Sequence, residues 1–229
     1  MSIPISIVSD VACPWCYIGK KRLEKALDQF PAGTFSVQWH PFQLDPTIPM
    51  EGLPRDTYFV KKFGDSGRLE QIFQQVTQVG EQEGISFRFD QMPKAIQTLP
   101  LHQLLHQAGQ EGFQDALEER FFKAYFEEGL DLSQLEQVQN LLLEFGWDAP
   151  KTASIWNDDQ IRSTVQSEIQ HFQQGGISGV PFFILNNKYG VSGAQATTTF
   201  VQALTQILEE EKVQTSVEGN ACDIETGIC

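Results

Sequence analysis

The strand-forming pattern of this chain comes in two groups, one at each end, and residues 56–174 between them read as helix. Ile3 to Val8 is a short apolar run with β-branched side chains, the signature of a buried strand. From Pro14 to Phe30, Ile18, Leu23, Leu27 and Phe30 share one stripe while Lys20, Lys21, Arg22, Glu24 and Lys25 lie off it. That is an amphipathic helix with proline in its first turn, where a missing N–H costs nothing. Phe35, Val37 and Trp39 then alternate with Ser36, Gln38 and His40, as a half-buried strand does. At the far end, Val180 to Leu185 reads as a strand, Asn186-Asn187 as a hairpin turn and Lys188 to Ser192 as the returning strand. A last helix, Phe200 to Glu211, carries Phe200, Leu204, Ile207 and Leu208 on one face. Strands that resume after so long a helical stretch predict one α/β domain interrupted by an insertion, not two consecutive domains.

The expected division is therefore 1–55 with 175–212 for the α/β domain, 56–174 for the helical insertion and 213–229 for a polar tail. Pro41 to Pro54 is a proline-rich loop leading into the insertion. Inside it the pattern predicts helices at 65–84, 94–110, 112–128, 132–145 and 150–174, the last broken near Asp158-Asp159, with Gly129, Gly146 and Pro150 as punctuation. The 41% apolar content, with 17 Phe and 4 Trp, is enough for a core and argues against disorder. The net charge of −14 repels phosphate backbones and anionic headgroups, so nucleic acid and membrane surfaces are poor partners. No apolar run is long enough to span a bilayer. The first residues lack a basic n-region and an extended apolar h-region, so they are not read as a signal peptide. Four cysteines are too few for a disulfide scaffold. The expectation is a cytoplasmic protein whose cysteines stay reduced unless they do chemistry; the sequence is silent on oligomeric state.

Cys13-Pro14-Trp15-Cys16 falls at the junction of the first strand and first helix. A thiolate that attacks disulfides needs access and a lowered pKa, and a helix N-terminus supplies unpaired N–H groups and the positive end of the dipole. Cys13, at the helix mouth, is the natural nucleophile. Cys16, one turn on, is placed to attack the resulting mixed disulfide and release the partner. Trp15 offers an aromatic cover, and Lys20, Lys21 and Arg22 are candidates to add positive potential. The alternative is a zinc site completed by two further ligands such as His40 or His102. The strand–CxxC–helix setting favours redox chemistry with no metal.

These residues also carry a resemblance. The run from Ser9 to Glu24, Ser-Asp-Val-Ala-Cys-Pro-Trp-Cys-Tyr-Ile-Gly-Lys-Lys-Arg-Leu-Glu, resembles the opening of the DsbA-like thioredoxin-fold family, in particular its FrnE-type cytosolic branch. The likeness continues through Trp39-His-Pro-Phe-Gln-Leu-Asp-Pro46, Thr98 and His102, Gly179-Val-Pro-Phe-Phe183 and Gly193-Ala-Gln195. It implies a thioredoxin fold with an all-helical insertion domain and a thiol–disulfide oxidoreductase or isomerase. Its substrates would be disulfide-containing proteins or small thiols, with glutathione a co-substrate and no cofactor beyond the dithiol. It implies that Val180-Pro181 is the cis-proline loop facing the cysteines. From the residues alone, a trans proline starting an edge strand reads identically. Relatives with the same insertion, generally with serine at the first cysteine, imply the alternative of a glutathione-dependent isomerase of a small aromatic or polyketide-like substrate, like 2-hydroxychromene-2-carboxylate isomerase.

Four further residues are candidates. Asp10 stands three positions before Cys13, as a proton relay or a capping residue. His102 matches a family position lining the substrate cleft, although a lone helical histidine also fits a satisfied core position. Cys222 and Cys229 match a second, C-terminal pair of some FrnE-type proteins. They read as an auxiliary redox couple, a local disulfide or free thiols.

Overall fold

A computed structural model describes residues 2–64 and 66–218. Strand β1 (Ile3–Ser9), helix α1 (Pro14–Leu27) and strand β2 (Phe35–Pro41) form the opening β-α-β unit, with β1 and β2 parallel from Ile3 opposite Phe35 to Ser9 opposite Pro41. Parallel neighbours need a crossover, which α1 supplies. Two short strands, β3 (Leu53–Pro54) and β4 (Lys94–Ala95), pair with each other and bracket α2 (Arg55–Phe63) and α3 (Ser66–Glu83). Then follow α4 (Leu99–Glu111), α5 (Gln114–Phe126), α6 (Leu135–Leu142), α7 (Ala149–Trp156) and α8 (Asp159–Gln174). Strands β5 (Phe182–Leu185) and β6 (Tyr189–Ser192) and helix α9 (Thr197–Glu218) complete the chain. The main sheet has the order β2-β1-β5-β6, with β5 antiparallel to both neighbours. Among the described residues, no helix is long and apolar enough to cross a membrane.

Each sheet face has its own packing. Ile5, Ile7 and Phe183 join Ile18 and Leu23 of α1 and Phe200 and Leu204 of α9 in one core. Val8 and the half-buried Phe182 and Ile184 meet Phe42, Phe172 and Ile177 on the other face. The first core runs on into the insertion. Tyr17 of α1 stacks on Phe122 of α5 with ring centroids 5.1 Å apart. The edge of β2 is also closed by the insertion: Trp39 N–H donates to Gln114 Oε1 at 3.1 Å, and Gln114 Nε2 donates to the Trp39 carbonyl at 3.0 Å. One side chain thereby does the work of a strand partner.

The departures from the sequence reading have local causes. Helix α2 is an addition, ended by Gly64 at φ 95°. The helix expected from 94 begins at Leu99, because Pro100 has no N–H and would clash with a preceding turn. The 3-10 turn Leu143–Phe145 separates α6 from Gly146. The break expected near Asp158-Asp159 is present, with Asp158 accepting from the N–H groups of Gln160 and Ile161. Strand β5 starts at Phe182, since Pro181 has no N–H for a ladder. As expected, Asn186 and Asn187, both at φ 53°, make the hairpin turn. Helix α9 runs past Val213, the expected start of the tail, through a stretch without proline or glycine.

Candidate active site

Cys13 is the residue that caps the N-terminus of α1, and Pro14 and Trp15 open the first turn. The turn is set by backbone bonds: Cys13 N–H donates to the Asp10 carbonyl at 2.9 Å, and Cys16 N–H to the Cys13 carbonyl at 3.0 Å. Both cysteines are free thiols. Across from them, the Val180-Pro181 peptide is cis, and Cys13 Sγ donates to the Val180 carbonyl at 3.6 Å. Helix and loop are pressed together at Gly19, where a Cβ would stand 3.0 Å from Phe183 Cζ and 3.1 Å from Pro181 Cγ. Gly19→Val is therefore expected to displace Pro181 and destabilise the fold by about 1–3 kcal/mol. Urea unfolding measures this; wild-type stability in the variant would show that the helix and loop are free to part.

Neither sulfur lies on the open surface. Cys13 is 3% exposed, at the base of a cavity of about 320 Å³. Trp15, Leu44, Phe59, Phe73 and Met92 form much of its apolar wall. Cys16 is buried beneath, and burial pushes its thiol well up, with Cys13 adding to the rise while the Asp10 backbone and the Ser9 hydroxyl oppose it.

The other sequence candidates fall in two places. Val180, Asp10, Trp15 and Thr98 line the cavity over Cys13; His102 does not. His102 is buried behind it, with Nε2 2.8 Å from the Phe42 carbonyl and 3.5 Å from Asp10 Oδ1. Burial opposes the imidazolium there, but the Asp10 and Glu118 carboxylates and the Phe42 carbonyl together hold the histidine above its usual value. The Asp10 carboxylate accepts the backbone N–H of Leu44 at 2.7 Å and of Ala12 at 3.3 Å, pinning the loops on both sides of the site. Lys20, Lys21 and Arg22 are engaged elsewhere: Lys20 with Glu24, Asp115 and Glu119, Lys21 with Glu24 and Glu119, and Arg22 with Glu83. Cys222 and Cys229 lie outside the described residues. Among the described residues, no group of three or more His, Cys, Asp and Glu is placed to hold a metal ion.

Sequence reasoning missed part of the cavity wall. Tyr58, Phe59, Lys62 and Phe63 come from α2. Lys62 Nζ donates to Tyr58 Oη at 2.7 Å, and Tyr58 Oη donates to Asp45 at 3.0 Å, tying α2 to the loop after β2. The apolar spacing of Phe59 and Phe63, one turn apart, was the available signal. Ser9 and Glu118 were also missed: both are buried, and Ser9 Oγ donates to Glu118 Oε1 at 2.9 Å. No local motif marks that pair, which is 109 positions apart.

Known proteins share this fold. The chain is 34% identical to a probable DsbA oxidoreductase from Streptomyces coelicolor, covering 91% of each chain with a TM-score of 0.83. It is 22% identical to the Bacillus subtilis protein YwbO over 90% of this chain and 97% of that one. It also has the fold of a 2-hydroxychromene-2-carboxylate isomerase, with a TM-score of 0.70 at 14% identity over 92% of this chain and 98% of the other. A family profile matches residues 4–205, and with a thioredoxin fold carrying a helical insertion, the chain belongs to the DSBA-like thioredoxin domain family.

Proposed function

We propose that the protein is a cytoplasmic thiol–disulfide oxidoreductase or isomerase of the FrnE-type branch, with Cys13 as nucleophile and Cys16 as resolving thiol. The observation that carries this reading is the placement of Cys13 Sγ at a helix N-terminus, 3.6 Å from the Val180 carbonyl and at the base of a cavity. The Cys13 thiolate attacks one sulfur of a substrate disulfide, and the other sulfur leaves with the electron pair as a thiolate. Cys16 then attacks Cys13, forming the Cys13–Cys16 disulfide and releasing the first substrate sulfur as a second thiolate. The substrate gains two electrons and the dithiol loses them, so no further cofactor is needed. Run backwards, the same steps oxidise a dithiol, and the relative reduction potentials set the direction.

Val180, Pro181 and Trp15 hold the substrate backbone beside Cys13, while the cavity wall suits an apolar group next to the reacting sulfur. Disulfide-containing proteins and small disulfides, glutathione disulfide among them, are the substrates this reading allows. Cys222 and Cys229 are assigned as an auxiliary couple. Cys16→Ser tests the central step: incubated with a disulfide substrate, it is expected to accumulate a covalent adduct on Cys13, seen by intact mass. Absence of any adduct under conditions where wild type turns over would overturn the assignment.

The apolar cavity and the isomerase-like fold favour one second reading, a glutathione-dependent isomerase of a small aromatic compound. It requires an aromatic ligand to bind the glutathione-loaded protein without thiol oxidation. Calorimetric titration with glutathione followed by an aromatic carboxylate separates the two. The intact Cys13/Cys16 pair favours the oxidoreductase.

A further inference from the structure

We infer that the cavity over Cys13 takes a single aromatic ring carrying a hydroxyl, and that the Thr98 hydroxyl selects for that oxygen. The substrates the site takes best are then small disulfides with a hydroxybenzyl-like group on the sulfur that Cys13 attacks. The inference deepens the thiol–disulfide reading above and rests on it.

Size and wall define the ring. The cavity of about 320 Å³ exceeds the roughly 150 Å³ that encloses a benzene, and stands at the lower limit, roughly 300 Å³, of sites for drug-sized ligands. It suits one ring with a short substituent. Phe59 meets Phe73 edge-on with centroids 5.2 Å apart, and Phe73 stacks on Phe89 at 4.5 Å, so both faces and edges of rings line the cavity. Edge-on and offset contacts favour an aromatic guest over an aliphatic one. Cys13 lies at the base and is 3% exposed, so the group bonded to the attacked sulfur must itself enter the cavity.

The polar groups of the wall single out Thr98. The Asp10 carboxylate is taken up by the N–H groups of Ala12 and Leu44, Asp45 accepts from Tyr58 Oη, Lys62 Nζ donates to Tyr58 Oη, and Tyr125 Oη donates to the Lys94 carbonyl at 2.9 Å. Thr98 is also buried, at 3% exposure, and precedes α4 without its side chain capping the helix. Among the described residues its hydroxyl has no hydrogen-bond partner, yet it is not sealed off as the unpaired Gln103 Oε1 is. The hydroxyl therefore opens into the cavity that Thr98 lines. A threonine hydroxyl donates and accepts, so it pairs with a phenol in either sense. In the step itself, the Cys13 thiolate attacks the benzylic sulfur, and the other sulfur leaves with the electron pair as a thiolate. Cys16 then closes the Cys13–Cys16 disulfide, and the hydroxybenzyl sulfur leaves as a second thiolate. Both thiolates take protons from water, and a dithiol reductant restores the pair.

The test uses full-length protein, dithiothreitol as reductant, and mixed disulfides of cysteine with methanethiol, benzyl thiol and the three hydroxybenzyl thiols, with the uncatalysed rate subtracted. Wild type is expected to reduce the benzyl compound at least about tenfold faster, in kcat/KM, than the methyl one. One hydroxybenzyl isomer should exceed benzyl by roughly fivefold. Thr98→Val, which keeps the shape and removes the hydroxyl, should erase that advantage while benzyl stays ahead of methyl; Thr98→Ser should keep it. A methyl compound as good as benzyl, no isomer ahead of benzyl on wild type, or an advantage that survives in Thr98→Val overturns the inference. If wild type reduces none of them faster than Cys13→Ser does, the exchange reading itself has failed with these substrates. The cavity is then read by NMR titration with the three cresols. One of them should bind wild type roughly fivefold tighter than Thr98→Val, and equal affinities for all three overturn the role of Thr98.

Discussion

Serine in place of Cys13 is expected to abolish disulfide exchange, with insulin reduction falling at least about a thousandfold, the scale on which enzymes lose activity with their nucleophile. The replacement is nearly isosteric, and its hydroxyl can still donate to the Val180 carbonyl that now accepts from Cys13 Sγ. What it loses is a sulfur that ionises in water and attacks another sulfur; a hydroxyl does neither at neutral pH. Cys13 sits at the start of α1 and makes one long polar contact, so the fold should survive. Unchanged thermal unfolding alongside lost activity is the expected pair of results. Wild-type insulin reduction in Cys13→Ser would remove the basis for the proposed function. The isomerase reading expects a different pattern, because relatives of that kind generally work with serine at this position.

The site was legible in the sequence to the extent that it is local. The four residues from Cys13 to Cys16 announce the helix that positions them and carry the chemistry proposed for them, because a strand, a turn and a helix follow one another without interruption. The cavity wall is assembled from α2, α3, the loop before α4 and the end of α5, and no spacing rule links those segments. Charge misled for a related reason. Lys20, Lys21 and Arg22 read as a positive collar for the cysteines, but the insertion places Asp115, Glu119 and Glu83 against them. A sequence shows the charge on one helix and hides the acids that another helix brings to it. The fold was more legible than the site, since alternation and helical stripes survive in β1, β2, β5, β6, α1 and α9. It failed where proline or glycine chemistry set a boundary, at Leu99 and Phe182, and where a short helix, α2, followed directly on a proline-rich loop.

Glu118→Gln should make the protein more stable in alkaline buffer and leave it nearly unchanged in acid. In the folded protein Glu118 ionises at about 7 instead of the usual 4.5. Between those values the unfolded chain has released a proton that the folded protein still holds, so rising pH favours unfolding. The contribution of neutral Glu118 is fully present below the unfolded value and is lost as pH rises through the folded one. Above neutrality the folded protein carries a buried carboxylate, at a cost on the order of 2–3 kcal/mol. Glutamine keeps the acceptor for Ser9 Oγ and removes that charge. It also removes one of the carboxylates that hold His102 above its usual value, while Asp10 remains beside the ring. Thermal unfolding above neutrality should therefore shift upward by roughly 5–10 °C in the variant and converge with wild type in acid. A constant offset at every pH, or a variant less stable in alkali, would show that Glu118 is held ionised in the folded protein.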